Sequence, residues 1–596
     1  SVSMCSFCLI AAAVCFTATP PHLAPHPRLR LTQATQTTVL RNIASDHNAA
    51  AVFAGLVSHG ENIAREDVVN CTKAGVESSL LDAARSVLDR LYTLGMLFRL
   101  DGNETWALRA LKEMEHVTLD DACADWNPQH FLDTAEMMHA VAIGIDWLWD
   151  APQSVFPTSR RTAIAAGLAT RGLGAAAKSW GNAEFKTTYN WNLVCNGGML
   201  AASLVLMDDE NATSAALAKA IYANASRDIA LSLNVSYAPD GAWAEGPTYW
   251  GYATKYALLA VDVLRTATGS SLGFEHADGF ATTGAFRAHM TGPSGEKWNF
   301  GDSDSAGADE FVPNFAGLAA LQRRYFRKHG ATTGDVNALL SRVVNPSIPS
   351  LCNHAGCALT LLDWSANGTF AELDARLPTC VSYRLVDSGW NSSVALGTWR
   401  SDWRGVGGNN DTTTTSGIAA LAHPTYLAFK GGNGEANHND ADAGSWILEM
   451  GGARWAVDLG ADSYGLPNYF SKSPAHGHRY SYYRKSTRGH NTLTFGGHDK
   501  EPGWSSQDVT RVAPITSFTC PAVGKSISLP HATMDLTPVY ANAGGPSPPT
   551  PKTSSVQRGF AMASWSHLVI VDEWTSPGSG NVTWSMHFES KHIEAT

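Results

Sequence analysis

The sequence predicts a multidomain α+β protein, in which an N-terminal α/α toroid, or incomplete barrel of helices, precedes a C-terminal antiparallel β-sandwich. The chain of 596 residues is longer than a single hydrophobic core usually supports. Apolar residues recur at helical spacing from about residue 40 to residue 340, whereas short alternating segments dominate from about residue 360 onwards. Hydrophobic residues make up 44% and charged residues 16%, which indicates a folded protein.

Successive amphipathic helices with alanine-rich faces are predicted for the N-terminal region. Their connections are short and contain Gly, Pro, Asn and Asp, so neighbouring helices are expected to run antiparallel. A helical solenoid has the same local pattern and remains an alternative. The predicted helical segments include Glu77–Leu100, Phe131–Trp149, Ser159–Ala177, Gly197–Leu206, Ser214–Leu233 and Tyr249–Thr268.

Short segments rich in Val, Thr, Trp and Tyr predict the strands of the C-terminal region. We therefore expect residues 22–355 to form the toroid and residues 356–596 the sandwich, with a Pro/Ser/Gly-rich loop at residues 542–555. The last strand signal lies close to Thr596, which predicts that the chain stops inside its β domain. The predicted strands include Thr425–Lys430, Ser445–Met450, Trp455–Leu459, Thr492–Phe495, Trp565–Val571 and Val582–Phe588.

The overall charge argues against two classes of partner. A formal net charge of −11 disfavours nonspecific binding to nucleic acid or to anionic membranes, since both reward a basic face. An acidic substrate would therefore need a local basic patch. Beyond the leader, no segment reaches the length of about eighteen uninterrupted apolar residues that a spanning helix requires, which predicts no membrane span.

The first residues and the sequons predict a secreted glycoprotein. The apolar run Cys5–Thr17, followed by Ala18–Pro21, resembles a secretory signal peptide, so residues 1–21 are expected to be removed. Nine Asn-X-Ser/Thr sequons favour the secretory pathway, although chance is the alternative explanation. These sequons begin at Asn70, Asn103, Asn211, Asn224, Asn234, Asn367, Asn391, Asn410 and Asn581.

Seven cysteines lie beyond the leader, and an oxidising compartment would pair some of them. The odd number leaves at least one cysteine free or with a partner outside the sequence. The seven are Cys71, Cys123, Cys195, Cys352, Cys357, Cys380 and Cys520.

An amide pair in the run Tyr189–Gly198 is the first candidate site. Asn192 and Asn196 are four residues apart, so a helix would place both amides on one face, beside Trp191. Two amide groups can bind a carboxylate through their NH₂ groups without carrying charge. The alternative is that these residues only start and pack the helix.

Two tyrosines follow a Gly/Pro-containing loop that also carries Glu245. A helix is predicted to begin near Tyr249, so Tyr249 or Tyr252 would lie at a helix N-terminus, where the positive end of the dipole stabilises a phenolate. A tyrosine with a lowered pKa is a plausible general base and acid. The alternative is an aromatic residue packed in a buried turn.

The densest polar run, Gly434–Trp446, indicates a possible metal centre. If the run is extended, His438, Asp440 and Asp442 alternate onto one face. Asp458 in a strand and His490 at the start of another strand could complete a set of carboxylates and imidazole that suits Zn²⁺ or Mn²⁺. A hydrogen-bonded network without metal is the alternative.

The run His476–Arg488 is locally basic and aromatic in an otherwise acidic protein. Sugars stack on aromatic rings, and arginine pairs with sulfate or carboxylate, so Arg484 and Arg488 are candidate substrate-binding residues. An ordinary exposed hairpin is the alternative.

Together these segments resemble the heparinase II/III-like polysaccharide lyases, a family that includes alginate lyases and is related to dermatan sulfate epimerase. The resemblance rests on the order of the motifs from about Trp126 to His490. It implies an α/α toroid, a β-sandwich, a catalytic cleft between them and an anionic polysaccharide as the partner. Besides the Asn192, Tyr249, His438 and His490 segments, the motifs are Phe131–Glu136, Gly144–Leu148 and Phe300–Asp304.

The resemblance also implies a role for each site residue. Asn192 would neutralise the uronate carboxylate, Tyr249 would protonate the leaving oxygen, with Tyr252 as its competitor, and His438 would assist. With the carboxylate neutralised, the proton at C5 of the uronate becomes acidic enough to remove, and the bond to the C4 oxygen breaks. The substrate-binding set is Asn196, Trp191, Glu245, Arg484 and Arg488.

The family's structural metal, usually zinc, would fall to Asp440, Asp458 and His490. Many relatives read His-X-His-X-Asp where this chain reads His438–Asp442. A carboxylate in place of an imidazole would favour Mn²⁺ or Ca²⁺ over Zn²⁺, or abolish the site. No organic cofactor is expected.

Three other functions remain open. A uronyl C5-epimerase of the same fold would return the proton to the opposite face of the sugar instead of breaking the bond. An inverting glycoside hydrolase would use two carboxylates across a water molecule, for which Glu245 and Asp240 are the candidates. A non-catalytic glycan-binding protein would bind the polymer without turnover.

Overall fold

A computed structural model describes most of the chain. The predicted leader falls outside the described residues except for residue 21, as do the sequons at Asn367, Asn391 and Asn410 and nearly all of the predicted loop 542–555. The described residues are 21–73, 79–305, 312–321, 324, 352, 355–364, 378–386, 393–403, 423–471, 478–495, 507–520, 530–541, 555–575 and 581–589.

Helices form the N-terminal region, and their short polar connections supply caps. Asn211, for example, accepts hydrogen bonds from the backbone N–H groups of Thr213 and Ser214. A π-helical segment, Leu168–Leu173, joins α6 to α7. The helices are α1 (Gln33–Ser45), α2 (His47–Arg65), α3 (Leu81–Asp101), α4 (Glu104–Leu119), α5 (Phe131–Trp147), α6 (Thr158–Gly167), α7 (Gly174–Lys178), α8 (Asn190–Leu206), α9 (Ala212–Ser236), α10 (Pro247–Thr268), α11 (Thr283–His289), α12 (Val312–Leu321), α13 (Gly356–Asp363) and, within the β region, α14 (Thr537–Tyr540).

Helix α5 lies at the centre of the helical region. All of its residues are buried, and it packs between α3 and α8. The contact with α8 is close, since a Cβ atom at Gly198 would stand 2.1 Å from the Ala135 carbonyl oxygen. This packing fixes the beginning of α8 relative to the rest of the helical region.

Antiparallel strands form the C-terminal region, as the sequence predicts. One sheet has the order β1–β2–β3–β4–β5, a second has the order β10–β9–β8–β7, and β11 pairs with β6. The strands are β1 (Cys380–Val386), β2 (Ser393–Arg400), β3 (Tyr426–Lys430), β4 (Trp446–Met450), β5 (Ala453–Ala456), β6 (Leu493–Phe495), β7 (Ile515–Thr519), β8 (His531–Asp535), β9 (Ser555–Ser564), β10 (His567–Thr575) and β11 (Val582–Trp584).

The first sheet is buried on both faces, which explains the continuous apolar run of β3. Tyr426 and Ala428 belong to the core of the helical region. Leu427 and Phe429 point to the opposite face and pack with the second sheet in a separate core. The two sheets therefore form a sandwich whose inner sheet also covers the helices, and the predicted order of helices and then strands is confirmed.

The last described helix before the sheets belongs to the helical region. Helix α13 packs against α12, α2 and α3, and β1 begins only at Cys380. Helical packing therefore continues to Asp363, past the predicted boundary at residue 355. Among the described helices, none combines the length and apolar character needed to cross a membrane.

Disulfide bonds link six of the seven cysteines that lie beyond the predicted leader. The seventh, Cys195, is a buried free thiol in α8. The odd cysteine number is thus explained by one unpaired residue within the core. The pairs are Cys71–Cys123, Cys352–Cys357 and Cys380–Cys520.

Candidate functional site

The candidate site forms where the start of α10 meets the loop between β3 and β4. Pro247 begins α10, and Tyr249 lies in its first turn, as the sequence predicts. The ring of Tyr249 stacks on the imidazole of His438, with ring centroids 3.7 Å apart and an interplanar angle of 9°. Two residues far apart in the sequence thus share one site.

The loop that carries His438 is not the extended segment that the alternation of polar residues predicted. His438 has a φ angle of +64°, in the left-handed region, and this turns the chain so that the following side chains face different partners. Its carbonyl oxygen accepts a hydrogen bond from the Asp302 N–H at 3.0 Å. Gly301 approaches the same oxygen closely, since a Cβ atom there would lie 2.8 Å from it.

A buried carboxylate orients the imidazole. The Nδ1 atom of His438 lies 2.9 Å from Oδ2 of Asp302, while Oδ1 of Asp302 lies 2.9 Å from Arg479 and 3.0 Å from Lys485. Tyr469 donates its hydroxyl hydrogen to the same carboxylate. Burial opposes ionisation, but the hydrogen bond from His438 and the two cations hold the pKa of Asp302 well below its usual value.

A second carboxylate faces the other ring nitrogen of His438. Oε1 of Glu245 lies 3.9 Å from Nε2 of His438. The carboxylate of Glu245 accepts hydrogen bonds from the backbone and side-chain amides of Asn190, each at 2.8 Å, and from the Trp243 indole at 3.1 Å. Burial raises the pKa of the Glu245 carboxyl to about 7, against the effect of these hydrogen bonds.

The hydroxyl of Tyr249 is hydrogen-bonded to the hydroxyl of Tyr464. Burial raises the pKa of Tyr249, and the hydrogen bond with Tyr464 offsets only part of this effect. The prediction of a lowered pKa at the helix N-terminus is therefore wrong, because desolvation of the phenolate outweighs the helix dipole. Tyr249 keeps its proton at neutral pH, which suits a general acid.

The amides of Asn192 and Asn196 do not face this site. Both side chains are buried, and both Nδ2 groups donate to the carbonyl oxygen of Phe185 at 2.9 Å. The expected carboxylate-binding pair is thus a packing pair, since its N–H groups already bind backbone oxygens. The amide beside the site belongs to Asn190, the first residue of α8, while Trp191 is half-buried.

Tyr252 follows Tyr249 on α10 but contacts different residues. Its hydroxyl donates to Oε1 of Glu136 at 2.6 Å, and Arg85 lies over its ring. Burial raises the pKa of Tyr252 well above its usual value. Tyr252 therefore lies beside the site without touching His438 in the described contacts.

The basic run contributes different residues from those predicted. Arg484 and Arg488 are exposed, with Arg484 donating to the Leu459 carbonyl oxygen at 2.7 Å. The two cations at the site are Arg479 and Lys485, which are fully buried against Asp302 and Asp440. Several short 3₁₀ turns replace the exposed hairpin, and they point these two side chains inward.

The possible metal ligands are also partly different. Ligand atoms of Asp442, Asp458 and His490 lie within 4.8 Å of one another, and all three residues are buried. Asp440 lies 3.8 Å from His490 but is ion-paired with Arg479 and Lys485. Both ring nitrogens of His490 and one oxygen of each of Asp442 and Asp458 lack a hydrogen-bond partner in the described part of the chain.

Several residues of the site were not predicted from the sequence. Some of them lie in motifs that the sequence shows, and others do not. Asp302 lies in the motif Phe300–Asp304, and Asn190 lies at the predicted start of a helix, so the sequence offered a reason to consider both residues. Tyr464 and Tyr469 carried none, because only their position across the chain from Tyr249 and Asp302 gives them a role.

Comparison with known proteins agrees with this architecture. The family described as Heparinase II/III-like, C-terminal matches residues 414–596. A solved heparinase III gene product is similar over 96% of this chain and 81% of its own, with a TM-score of 0.52 and 14% sequence identity. A solved mutant of heparan sulfate lyase HepC from Pedobacter heparinus is similar over 94% of this chain and 80% of its own, with a TM-score of 0.50 and 14% identity.

A further solved structure of heparinase III is similar over 94% of this chain and 81% of its own, with a TM-score of 0.52 and 12% identity. No curated protein matches the chain. The likeness to solved structures extends the shared fold from the C-terminal residues to nearly the whole chain.

Glu245→Gln should change how stability depends on pH. Since burial raises the Glu245 pKa from 4.5 to about 7, the native state binds more protons than the unfolded state between these values, and this residue's contribution to stability falls as pH rises through the window. Glutamine does not titrate. The unfolding free energy of the variant relative to wild type should therefore rise between pH 4.5 and 7, by about 3 kcal/mol at most, and then level off.

Thermal or urea unfolding at a series of pH values measures this difference. Glu61→Gln, at an exposed position of α2, serves as the control for replacing a surface carboxylate. A difference for Glu245→Gln that is flat with pH, or that falls as pH rises, would contradict the raised pKa.

Proposed function

We propose that the chain is a polysaccharide lyase that cleaves a uronic-acid-containing polysaccharide by β-elimination, because its residues 414–596 match the heparinase II/III-like family and nearly the whole chain has the fold of a heparinase III. The observation that carries this proposal is the stack of Tyr249 on His438, with Asp302 and Glu245 at the two imidazole nitrogens. This arrangement offers an acid and a base at one point, which β-elimination requires.

His438 is the proposed base for the C5 proton. Its Nδ1–H donates to Asp302, so Nε2 is the basic nitrogen of the neutral ring. The low pKa of Asp302 keeps that carboxylate ionised, and the negative charge stabilises the imidazolium that forms when the proton is taken. Asp302 thus positions the base and strengthens it.

Tyr249 is the proposed acid for the C4 oxygen. Its raised pKa keeps it protonated, and Tyr464 can return a proton to it through their shared hydrogen bond. Delivering a proton to the departing oxygen avoids forming an alkoxide, which is the costly step of the elimination. The base and the acid are thus separate residues, whereas the sequence pattern predicted both roles for a tyrosine.

Asn190 and Glu245 are proposed to neutralise the uronate carboxylate in place of Asn192. Asn190 donates to Glu245, whose carboxyl faces His438, and a Glu245 carboxyl with a pKa near 7 is partly protonated at neutral pH. A neutral carboxyl group can donate a hydrogen bond to the substrate carboxylate and so favour the enolate-like intermediate. Trp191 lies next to Asn190, where its half-buried ring could stack on a sugar.

We also propose that Asp442, Asp458 and His490 hold a structural divalent cation. Two carboxylates and an imidazole with unpartnered atoms suit Zn²⁺ or Mn²⁺. When bound, the ion would supply positive charge to this buried acidic group. Asp442 lies in the same loop as His438, so these residues would fix the loop that carries the base.

The lyase proposal is tested by following the absorbance of unsaturated product on a panel of uronate polysaccharides. Heparan sulfate comes first, because one similar solved structure is a heparan sulfate lyase. Tyr249→Phe should lower kcat by about 10²–10⁴, since it removes the acid. Asn190→Ala should lower activity more than Asn192→Ala, provided that both variants fold.

Tyr222→Phe is the matched control, because Tyr222 is a half-buried tyrosine on α9, and it should retain activity. Solvent deuterium appearing at C5 without any rise in absorbance would replace the lyase by the C5-epimerase. Binding without either reaction would favour a glycan-binding protein. Secretion and glycosylation remain proposals from the sequence, which mass spectrometry of the secreted protein can test.

The metal proposal is tested by elemental analysis of the purified protein and by melting with and without a chelator. About one divalent ion per chain is expected, together with a lower melting temperature after chelation, because a ligand of the native state stabilises it. His490→Ala should lose the ion, whereas Asp440→Asn should keep it. A wild-type protein that contains no stoichiometric metal and melts identically with chelator would contradict the assignment.

A further inference from the structure

Helix α10 continues beyond Tyr249 with two further half-buried side chains. Tyr252 follows Tyr249 by three residues and Lys255 follows Tyr252 by three, so each successive pair lies on neighbouring turns of the helix. Each interval advances by about 4.5 Å along the helix axis. We call the half-buried residues Tyr249, Tyr252 and Lys255 the α10 strip, whose first member stacks on His438.

An arginine from another helix faces this strip. Arg85 of α3 lies over the ring of Tyr252, with its Cζ atom 4.9 Å from the ring centroid. Its Nε donates to Oε1 of Glu136 at 3.2 Å, and the same oxygen accepts the Tyr252 hydroxyl. The side chain of Arg85 nevertheless remains 31% exposed, whereas Glu136 is fully buried.

Two cations lie near one carboxylate here, in a protein whose net charge is −11. Glu136 supplies one negative charge, while Arg85 and Lys255 supply two positive charges. Burial opposes ionisation, but these two cations hold the pKa of Glu136 below its usual value, so both act on this one carboxylate. Two cations thus act on one buried carboxylate, and the Arg85 side chain remains partly accessible to solvent.

The arrangement resembles a recognition site more than a structural ion pair. Arg85 donates from Nε to Glu136, and its side chain is only partly buried, whereas the carboxylate is fully buried. Glu136 and the Tyr252 ring fix the plane of the guanidinium, and a fixed guanidinium binds planar or tetrahedral oxyanions such as carboxylate and sulfate well. Arg85 lies over Tyr252, which follows Tyr249 by one turn of α10, and this places the guanidinium near the proposed reacting sugar.

We propose that Arg85, Tyr252 and Lys255 form a subsite that binds the carboxylate or sulfate of the sugar adjacent to the reacting uronate. This inference rests on the proposed function, because the subsite is defined by its position next to the sugar that would react at Tyr249 and His438. Arg85 binds the anionic group, Glu136 positions Arg85, and Lys255 adds positive charge.

Binding measurements on the full chain test the subsite in the Tyr249→Phe background, which limits turnover. Affinity for heparan sulfate and for an unsulfated uronate polysaccharide is measured at several salt concentrations. Adding Arg85→Ala should weaken binding about tenfold or more and reduce its salt dependence, whereas Arg85→Lys should lose less. A loss confined to the sulfated polymer identifies sulfate as the bound group, and an equal loss on both identifies carboxylate.

Arg161→Ala is the matched control, because Arg161 also lies over an aromatic ring, that of Trp149 at 4.3 Å, without contacting the strip in the described contacts. Its affinity should stay within about twofold of the parent. Should Arg85→Ala lower the melting temperature, Lys255→Ala and Arg85→Lys decide the question instead. Unchanged affinity and salt dependence in every folded variant would overturn the subsite.

Different results would contradict the lyase and the anion-binding subsite. Wild-type protein that forms no unsaturated product from any polymer, but binds them in a manner that depends on Arg85, contradicts the lyase and keeps the anion-binding subsite. Product formation with binding that is indifferent to Arg85 and Lys255 keeps the lyase and contradicts the subsite.

Discussion

The hydrogen bond between Asp302 and His438 is the interaction on which the candidate site depends. Asp302 lies between α11 and α12 of the helical region, and His438 lies in the loop between β3 and β4, so the bond joins the two parts of the chain. Asp302 is buried as an anion because Arg479 and Lys485 surround it. Removing one partner of such a group would cost about 3–5 kcal/mol, since a buried charge would be left unpaired.

The same network holds the loop in an unfavourable conformation. A left-handed backbone at a residue such as His438 costs on the order of 1–3 kcal/mol and persists only where the surroundings enforce it. Here the Asp302 N–H and the Arg479 guanidinium both donate to the His438 carbonyl oxygen, at 3.0 and 2.9 Å. The imidazole is thereby held flat against Tyr249 before any substrate arrives, and this preorganisation is what an acid–base pair requires.

Local sequence patterns predicted the helices and strands because the periodicity of each element is a property of the element alone. Such patterns could not distinguish between residues within one turn of a helix. Asn190 lies at the site in place of Asn192 because α8 begins at Asn190. Alternation put Asp440 and Asp442 on the same face as His438, but the positive φ of His438 breaks the alternation. Contacts across long stretches of sequence depend on tertiary packing, which periodicity does not encode.

A crystal structure of the Tyr249→Phe variant with a uronate oligosaccharide bound would show whether His438 and Tyr249 meet at one sugar. We expect the C5 hydrogen of one uronate to face Nε2 of His438, its C4 oxygen to lie beside residue 249, and its carboxylate to contact Asn190 and Glu245. An oligosaccharide bound elsewhere, for instance in the apolar groove lined by Trp446, Trp455 and Trp584, with the imidazole untouched, would contradict this expectation.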